Sequence, residues 1–197
     1  ERVARDVELT YKPLTALPQP RVVAMTLHQD IFPERRATTW SGTVRAVNRE
    51  ARAVDTLFIT LPPSVPTPAD RYNATSNDAT HLDTLTFDRP ATLIRDDTPR
   101  GVRLYRFATP LQPGDSLVMH FAGDFTPRGF PNSTFNNDVA ANGTFFTSNS
   151  YVPHFGYDEN NELADDDIRA RNGLKPKPRM KSIDDPAVRD NNYITHY

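Results

Sequence analysis

Five histidines, at positions 28, 81, 120, 154 and 196, are the side chains best suited to hold a metal or move a proton near neutral pH. Zinc-dependent hydrolysis needs two neutral imidazoles one helical turn apart, with a glutamate between them to work the water, the His-Glu-x-x-His arrangement. Here the residues following the histidines are Gln, Leu, Phe, Phe and Tyr, and no two histidines lie within ten residues of each other. That leaves only a distributed three-histidine site assembled by strands, and His28 and His120 read instead as solvated side chains on outer strand faces. A serine nucleophile on a Gly-x-Ser-x-Gly elbow is also missing, since none of the 8 glycines stands in that pattern. Asp165, Asp166 and Asp167 lack the spacing of a calcium loop and read as an acidic first helical turn. Aromatic residues gather at Phe145, Phe146, Tyr151, Phe155 and Tyr157. About half suit a core, and the rest suit the wall of a pocket for a peptide or a sugar.

The elements that must position these residues are mostly strands. The chain has 197 residues, with 23 Lys+Arg against 25 Asp+Glu, a net charge of −2. That is about one domain, without the basic stripe of a nucleic-acid binder. It has no Cys, which excludes disulfides and thiolate metal sites. No apolar run approaches the ~18–20 residues that cross a bilayer as a helix. Proline, at 18 residues, is roughly twice its usual ~5% share, which disfavours long helices.

Val23, Met25, Leu27 and Ile31 alternate with Thr26, His28 and Asp30 as in a half-buried strand, and Pro33 breaks the run. Trp40, Gly42, Val44 and Ala46 alternate next, and Asn48-Arg49-Glu50 offers a turn before Leu57, Ile59 and Leu61. These three strands read as a meander. Strands follow around Leu82 to Phe87 and Leu93-Ile94, and two more, at residues 102–108 and 116–122, flank Pro113-Gly114-Asp115 as a hairpin. The fold class expected is mainly β: an antiparallel sandwich or saddle-like sheet, with one short surface helix over residues 161–172 and long C-terminal extended segments. Residues 1–20 read as an extended lead-in, 21–159 as the β domain, and 160–197 as the helix plus an extended connection toward a following segment. The Asn- and Pro-rich stretch 126–143 reads as a long exposed loop, with Asn-x-Ser/Thr triplets at Asn132 and Asn142, and a third at Asn73.

Three stretches in order resemble the amino-terminal β-domain of the aminopeptidase N family of zinc metallopeptidases. The first is Val23-Ala-Met-Thr-Leu-His28-Gln-Asp30-Ile-Phe-Pro33 with Trp40-Ser-Gly42. The second is Pro110-Leu111-Gln-Pro-Gly114-Asp115 followed by the strand ending Phe121-Ala-Gly123, with Arg128-Gly129-Phe130 after it. The third is Val152-Pro153-His154-Phe155-Gly156-Tyr157-Asp158-Glu159. Asn142-Gly-Thr-Phe-Phe146, Pro153 to Tyr157 and Leu174-Lys-Pro-Lys-Pro178-Arg179-Met180 are similar to the bacterial branch in which the peptidase follows an ABC-transporter-type permease.

This resemblance implies a non-catalytic domain that shapes a substrate channel. Zinc would sit in a downstream peptidase domain of the same parent, and the substrate would be a peptide. The location implied is the extracytoplasmic, periplasmic part of an inner-membrane protein. The family places a Gln or Glu for the substrate amine about nine residues before the turn proline. Counting back from Pro153 gives Thr144, which lacks a carboxylate, and Asn149 is the nearest amide. The substrate-binding set is therefore Thr144, Phe146, Asn149 and Tyr151, with no catalytic residue and no metal ligand. A free-standing sandwich that binds peptide or glycan for adhesion fits the composition equally well. Asn191 to Tyr197, rich in Tyr, Ile and Thr, is the segment expected to add to an open sheet edge, of its own sheet or of a second copy.

Overall fold

The computed structural model describes residues 1–62, 79–126, 139–140, 143–145 and 151–177. Its elements are α1 (Arg2–Tyr11), β1 (Arg21–Phe32), β2 (Ala37–Val47), β3 (Val54–Thr60), β4 (Ala79–Phe87), β5 (Ala91–Asp97), β6 (Val102–Leu111) and β7 (Ser116–Thr126). The short pairs β8 (Val139–Ala140) and β9 (Gly143–Thr144), then β10 (His154–Phe155) and α2 (Asp166–Arg171), complete it. Two antiparallel four-stranded sheets result, as the fold class expected. Sheet I has the order β1-β2-β7-β4, sheet II the order β10-β3-β6-β5, and β8 pairs with β9 apart from both.

The meander and the Pro-Gly-Asp hairpin are both corrected, because β3 leaves the sheet of β1 and β2, and β6 and β7 belong to different sheets. One residue ties the two crossings together. Asn48 is fully buried. Its amide nitrogen donates to the carbonyls of Arg52 at 2.9 Å and Leu111 at 2.8 Å. Its own N–H donates to Asp115 O at 2.9 Å, and its carbonyl accepts from Gly114 N at 2.8 Å. The two inter-sheet connections, 48–53 and 112–115, are thus sutured to each other. Gly114 takes φ 86, a conformation that L side chains rarely adopt. Turn chemistry fixes the reversal but not the sheet that the next strand joins, and burial decides that. Leu111 and Leu117 are both fully buried, reaching the same core from opposite sheets.

That core takes Trp40, Val44, Leu117, Met119, Phe121 and Phe125 from sheet I, and Val54, Leu57, Ile59, Tyr105, Phe107 and Leu111 from sheet II. Along β1, Val22, Met25 and Leu27 pack against it, because a bulge between Val22 and Ala24 shifts the alternation expected from Val23. Ile31 stays 40% exposed near the strand end.

In sheet I, Trp40 stands opposite Gly123, and Gly42 opposite Phe121. A Cβ on Gly123 would lie 2.2 Å from His81 O and 2.8 Å from Trp40 Cζ2. One on Gly42 would lie 2.2 Å from Thr26 O and 2.9 Å from Phe121 Cζ. The two rings lie across two glycines, which lets the sheet coil without losing apolar cover.

The first twenty residues are not extended. Arg2–Tyr11 is α-helical and Lys12–Ala16 is a 3-10 helix. Val3, Val7 and Tyr11 recur every fourth residue, and this stripe settles on the outer face of sheet II against Phe58, Val102 and Leu104. The later helix is shorter than its expected span. Asp165 caps it, accepting from Asp167 N and Ile168 N at 2.9 Å, while Asn161, the start of the expected span, ends a 3-10 turn, Glu159–Asn161. Gly173 follows it at φ 72, as a C-terminal stop should. It is not a purely superficial helix, because Arg169 is 2% exposed.

Candidate functional site

The region around residues 144–157 follows from the way the third motif joins sheet II. At one flank of the sandwich β1 is the edge of sheet I and β10 the edge of sheet II. β10 reaches β3 only at His154 opposite Thr60 and Phe155 opposite Ile59. Beyond it, Gly156 at φ 91 turns the chain, its N–H donating to Phe58 O at 2.8 Å and its carbonyl accepting from Thr60 Oγ1 at 2.7 Å. The rest of that β3 edge is closed by a side chain. Gln19 Nε2 donates to Thr56 O at 3.0 Å, and Phe58 N donates to Gln19 Oε1 at 2.9 Å. The flanking Pro18 and Pro20 hold the backbone that presents this amide.

Between these segments lies a groove of about 770 Å³, bounded by residues 14–22 on one wall and 152–160 on the other. Its floor includes core residues Val44 and Val152, with Met25 and Phe155 partly covering it. Arg49 and Arg52 stand on one side, and Asp158 and Glu159 on the other. Arg21 pairs with Glu50 at 3.7 Å within the same rim. Burial pushes the hydroxyl of Tyr157 above its ordinary pKa, and the Glu162 carboxylate adds to that shift. A mixed-charge rim over an apolar floor can hold an extended peptide or another stretch of chain. Among the described residues it offers no nucleophile paired with a base.

Of the four residues expected to bind substrate, the two that the structure describes, Thr144 and Tyr151, do not line this groove. Tyr151 is a core residue: its ring packs on Trp40 at 4.6 Å and on Phe125 at 6.3 Å, and it is 2% exposed. Its size and flanking Val152 serve the sandwich interior. Thr144 lies half-buried in β9, opposite Val139. Phe146 and Asn149 lie outside the described residues, as do Asn73, Asn132, Asn142, Arg128 to Phe130, His196 and the segment Asn191 to Tyr197. Phe145, beside Thr144, is 78% exposed. The other aromatic residues of that set divide between roles: Phe155 backs the main core, and Tyr157 packs edge-to-face on Phe58 at 6.2 Å.

Histidines 28, 81 and 120 sit on three strands of sheet I and share its outer face, where His28 is opposite Ser41, His81 opposite Asp124 and His120 opposite Thr43 and Thr86. His81 Nδ1 is 3.4 Å from Asp124 Oδ1, and His28 Nε2 is 3.8 Å from Asp30 Oδ1. Among the described residues no three His or acidic side chains converge as metal ligands, and none of the described helices is long and apolar enough to cross a membrane.

Similar solved structures include M1 zinc metallopeptidases. The enzyme from Deinococcus radiodurans matches 56% of this chain and 21% of its own, with 12% identity and a TM-score of 0.37. A two-domain M1 zinc metallopeptidase variant bound to L-arginine matches 58% of this chain and 22% of its own, with 13% identity and a TM-score of 0.37. The chain therefore spans about a fifth of the length of these structures. No family model and no curated protein matches it.

Sequence reasoning missed Gln19, which lines the groove, and read Asn48 only as the start of a turn. Each carried a signal. Gln19 stands between prolines, and Asn48 is the first polar residue after a strand of buried alternation.

Proposed function

We propose that this chain is the non-catalytic amino-terminal β-domain of an aminopeptidase N-like zinc metallopeptidase. In this reading it forms one wall of the channel through which a peptide's free amino end reaches a zinc domain elsewhere in the parent. The observation that carries the reading is that the three resembling motifs fall, in order, on three joints of one sandwich. Trp40 and Gly42 interlock with Phe121 and Gly123 across β2 and β7. Gly114 and Asp115 form the inter-sheet turn tied to Asn48. Residues 153–157 close the edge of sheet II.

Zinc, peptide substrate and the following domain belong to the parent in this reading. So do fusion to a permease and an extracytoplasmic location, which rest on the resemblance of the segments at 142–146 and 174–180. The parent reading frame tests it: a His-Glu-x-x-His helix roughly one to two hundred residues downstream is expected, with the spanning segments of a permease upstream. A stop codon just after Tyr197 would overturn the reading and leave a free-standing binding module.

A further inference from the structure

We propose that Glu8, Lys12, Glu162 and Arg169 form a clasp that joins α1 to the segment 159–171 as one layer, which detaches from sheet II as a unit while the sandwich stays folded. The clasp is built from alternating charges in a place where charge is costly. Arg169 donates from Nη1 to Glu8 Oε2 at 2.8 Å and from Nη2 to Glu8 Oε1 at 2.6 Å. It also donates to the carbonyls of Leu163 at 2.8 Å and Lys175 at 2.7 Å. Lys12 Nζ lies 3.2 Å from Glu8 Oε1 and 3.0 Å from Glu162 Oε1. Lys177 Nζ reaches Glu162 Oε2 at 3.6 Å. All five residues come from the lead helix and its 3-10 extension or from residues 162–177, and none comes from β1 to β7.

The layer meets the sandwich through separate and smaller contacts. Val7 and Tyr11 pack with Phe58, Val102 and Leu104 in a cluster distinct from the main core. Tyr11 donates to Asp97 at 2.5 Å, and the Arg95 guanidinium lies 4.9 Å from its ring centroid. A buried ion pair adds little over an apolar pair of equal volume, but a buried charge that loses its partner is strongly destabilising. When α1 and its 3-10 extension lift, Arg169 loses its carboxylate partner, Glu8, and Glu162 loses Lys12 and keeps the longer contact to Lys177, so the second segment follows the first. The ion network therefore makes opening of the layer all-or-none, and the separate cores make it independent of the sandwich.

Acid acts on this network through Glu8. Burial raises its pKa, and the hydrogen bonds from Arg169 and Lys12 outweigh that, leaving it below the ordinary carboxylate value. Facing it are Lys12, at the start of the 3-10 helix, and Arg169 on α2. Glu162 faces Lys12, Lys177 and the Tyr157 hydroxyl, with Glu159 and Asp166 nearby, while Asp97, Arg95 and Arg100 face Tyr11 from the sandwich. A depressed carboxylate stabilises above its unfolded pKa, and that stabilisation goes as pH falls through the folded value.

Hydrogen exchange on the full chain, read by segment at neutral pH, tests the clasp. In Glu8→Gln, residues 2–16 and 159–171 should exchange at least tenfold faster together, with β2 and β7 within about twofold of the parent chain. The double variant Glu8→Leu with Arg169→Met, which removes both charges, should restore much of the protection. Opening of residues 2–16 without 159–171, or loss of β2 and β7 protection along with them, would overturn the proposal. The unaltered chain in low denaturant gives the same reading without a variant: both segments should share one opening constant larger than that of β2 and β7, and equal constants throughout would contradict it.

Discussion

Sheets I and II are built from similar strands and differ in what lies outside them. The outer face of sheet I carries Thr26, His28, Ser41, Thr43, Arg45 and His120, all exposed except the half-buried Thr43. The outer face of sheet II carries Phe58, Val102 and Leu104 beneath α1. Strands with one wet face keep polar residues at alternate positions, whereas β3, covered on both sides, is buried at nearly every position. A side chain's contribution here depends on which sheet it stands in and which face it occupies, more than on its type.

Substitutions on the two outer faces should separate most widely. Phe58→Ala removes a fully buried ring from between Tyr11 and Tyr157 and should cost about 3–5 kcal/mol in chemical denaturation. A loss near that of a surface change would mean that α1 does not cover sheet II. Inside sheet I, Gly123→Ala forces a Cβ against His81 O and the Trp40 ring, and should lower stability by about 2–3 kcal/mol with a loss of near-ultraviolet tryptophan signal. Asn48→Ala leaves the carbonyls of Arg52 and Leu111 without their side-chain donor, a cost of about 2 kcal/mol read from the denaturant midpoint.

Much of this was legible in the sequence. The long strands and the alternating residues Trp40, Val44, Leu57 and Ile59 follow from periodicity. What was not legible is long-range. Whether residues 116–126 pair with residues 102–111 or cross to the other sheet depends on Asn48, more than sixty residues away from one of its partners, Leu111. The helix at Arg2–Tyr11 was hidden because its apolar stripe is one residue wide and acquires meaning only once Phe58 and Leu104 lie beneath it. Tyr151 illustrates the same limit at the candidate site, since an aromatic residue in a loop-like stretch reads as a pocket wall until its neighbours Trp40 and Phe125 are in place.

Smaller effects sharpen the contrast between the faces. Burial, with the Asp97 carboxylate beside it, pushes the Tyr11 hydroxyl up to about 12. Because the folded value lies above the unfolded one, the stabilisation is full below about pH 10 and is lost as pH rises from there toward 12. Tyr11→Phe should cost about 1–2 kcal/mol at neutral pH and should flatten that alkaline loss in a pH-dependent melt. His120→Ala, on the wet face, should change stability by no more than about 0.5 kcal/mol.

The central functional proposal is that the peptidase chemistry belongs to a zinc domain beside this one in the parent. The most direct measurement is amine release from an aminoacyl chromogenic substrate, with bound zinc quantified, by the 197-residue chain and by its full-length parent side by side. The account predicts stoichiometric zinc and chelator-sensitive release by the parent, and neither by the chain alone. Turnover by the isolated chain at the parent's rate, or a parent that neither binds zinc nor releases amine, would contradict it.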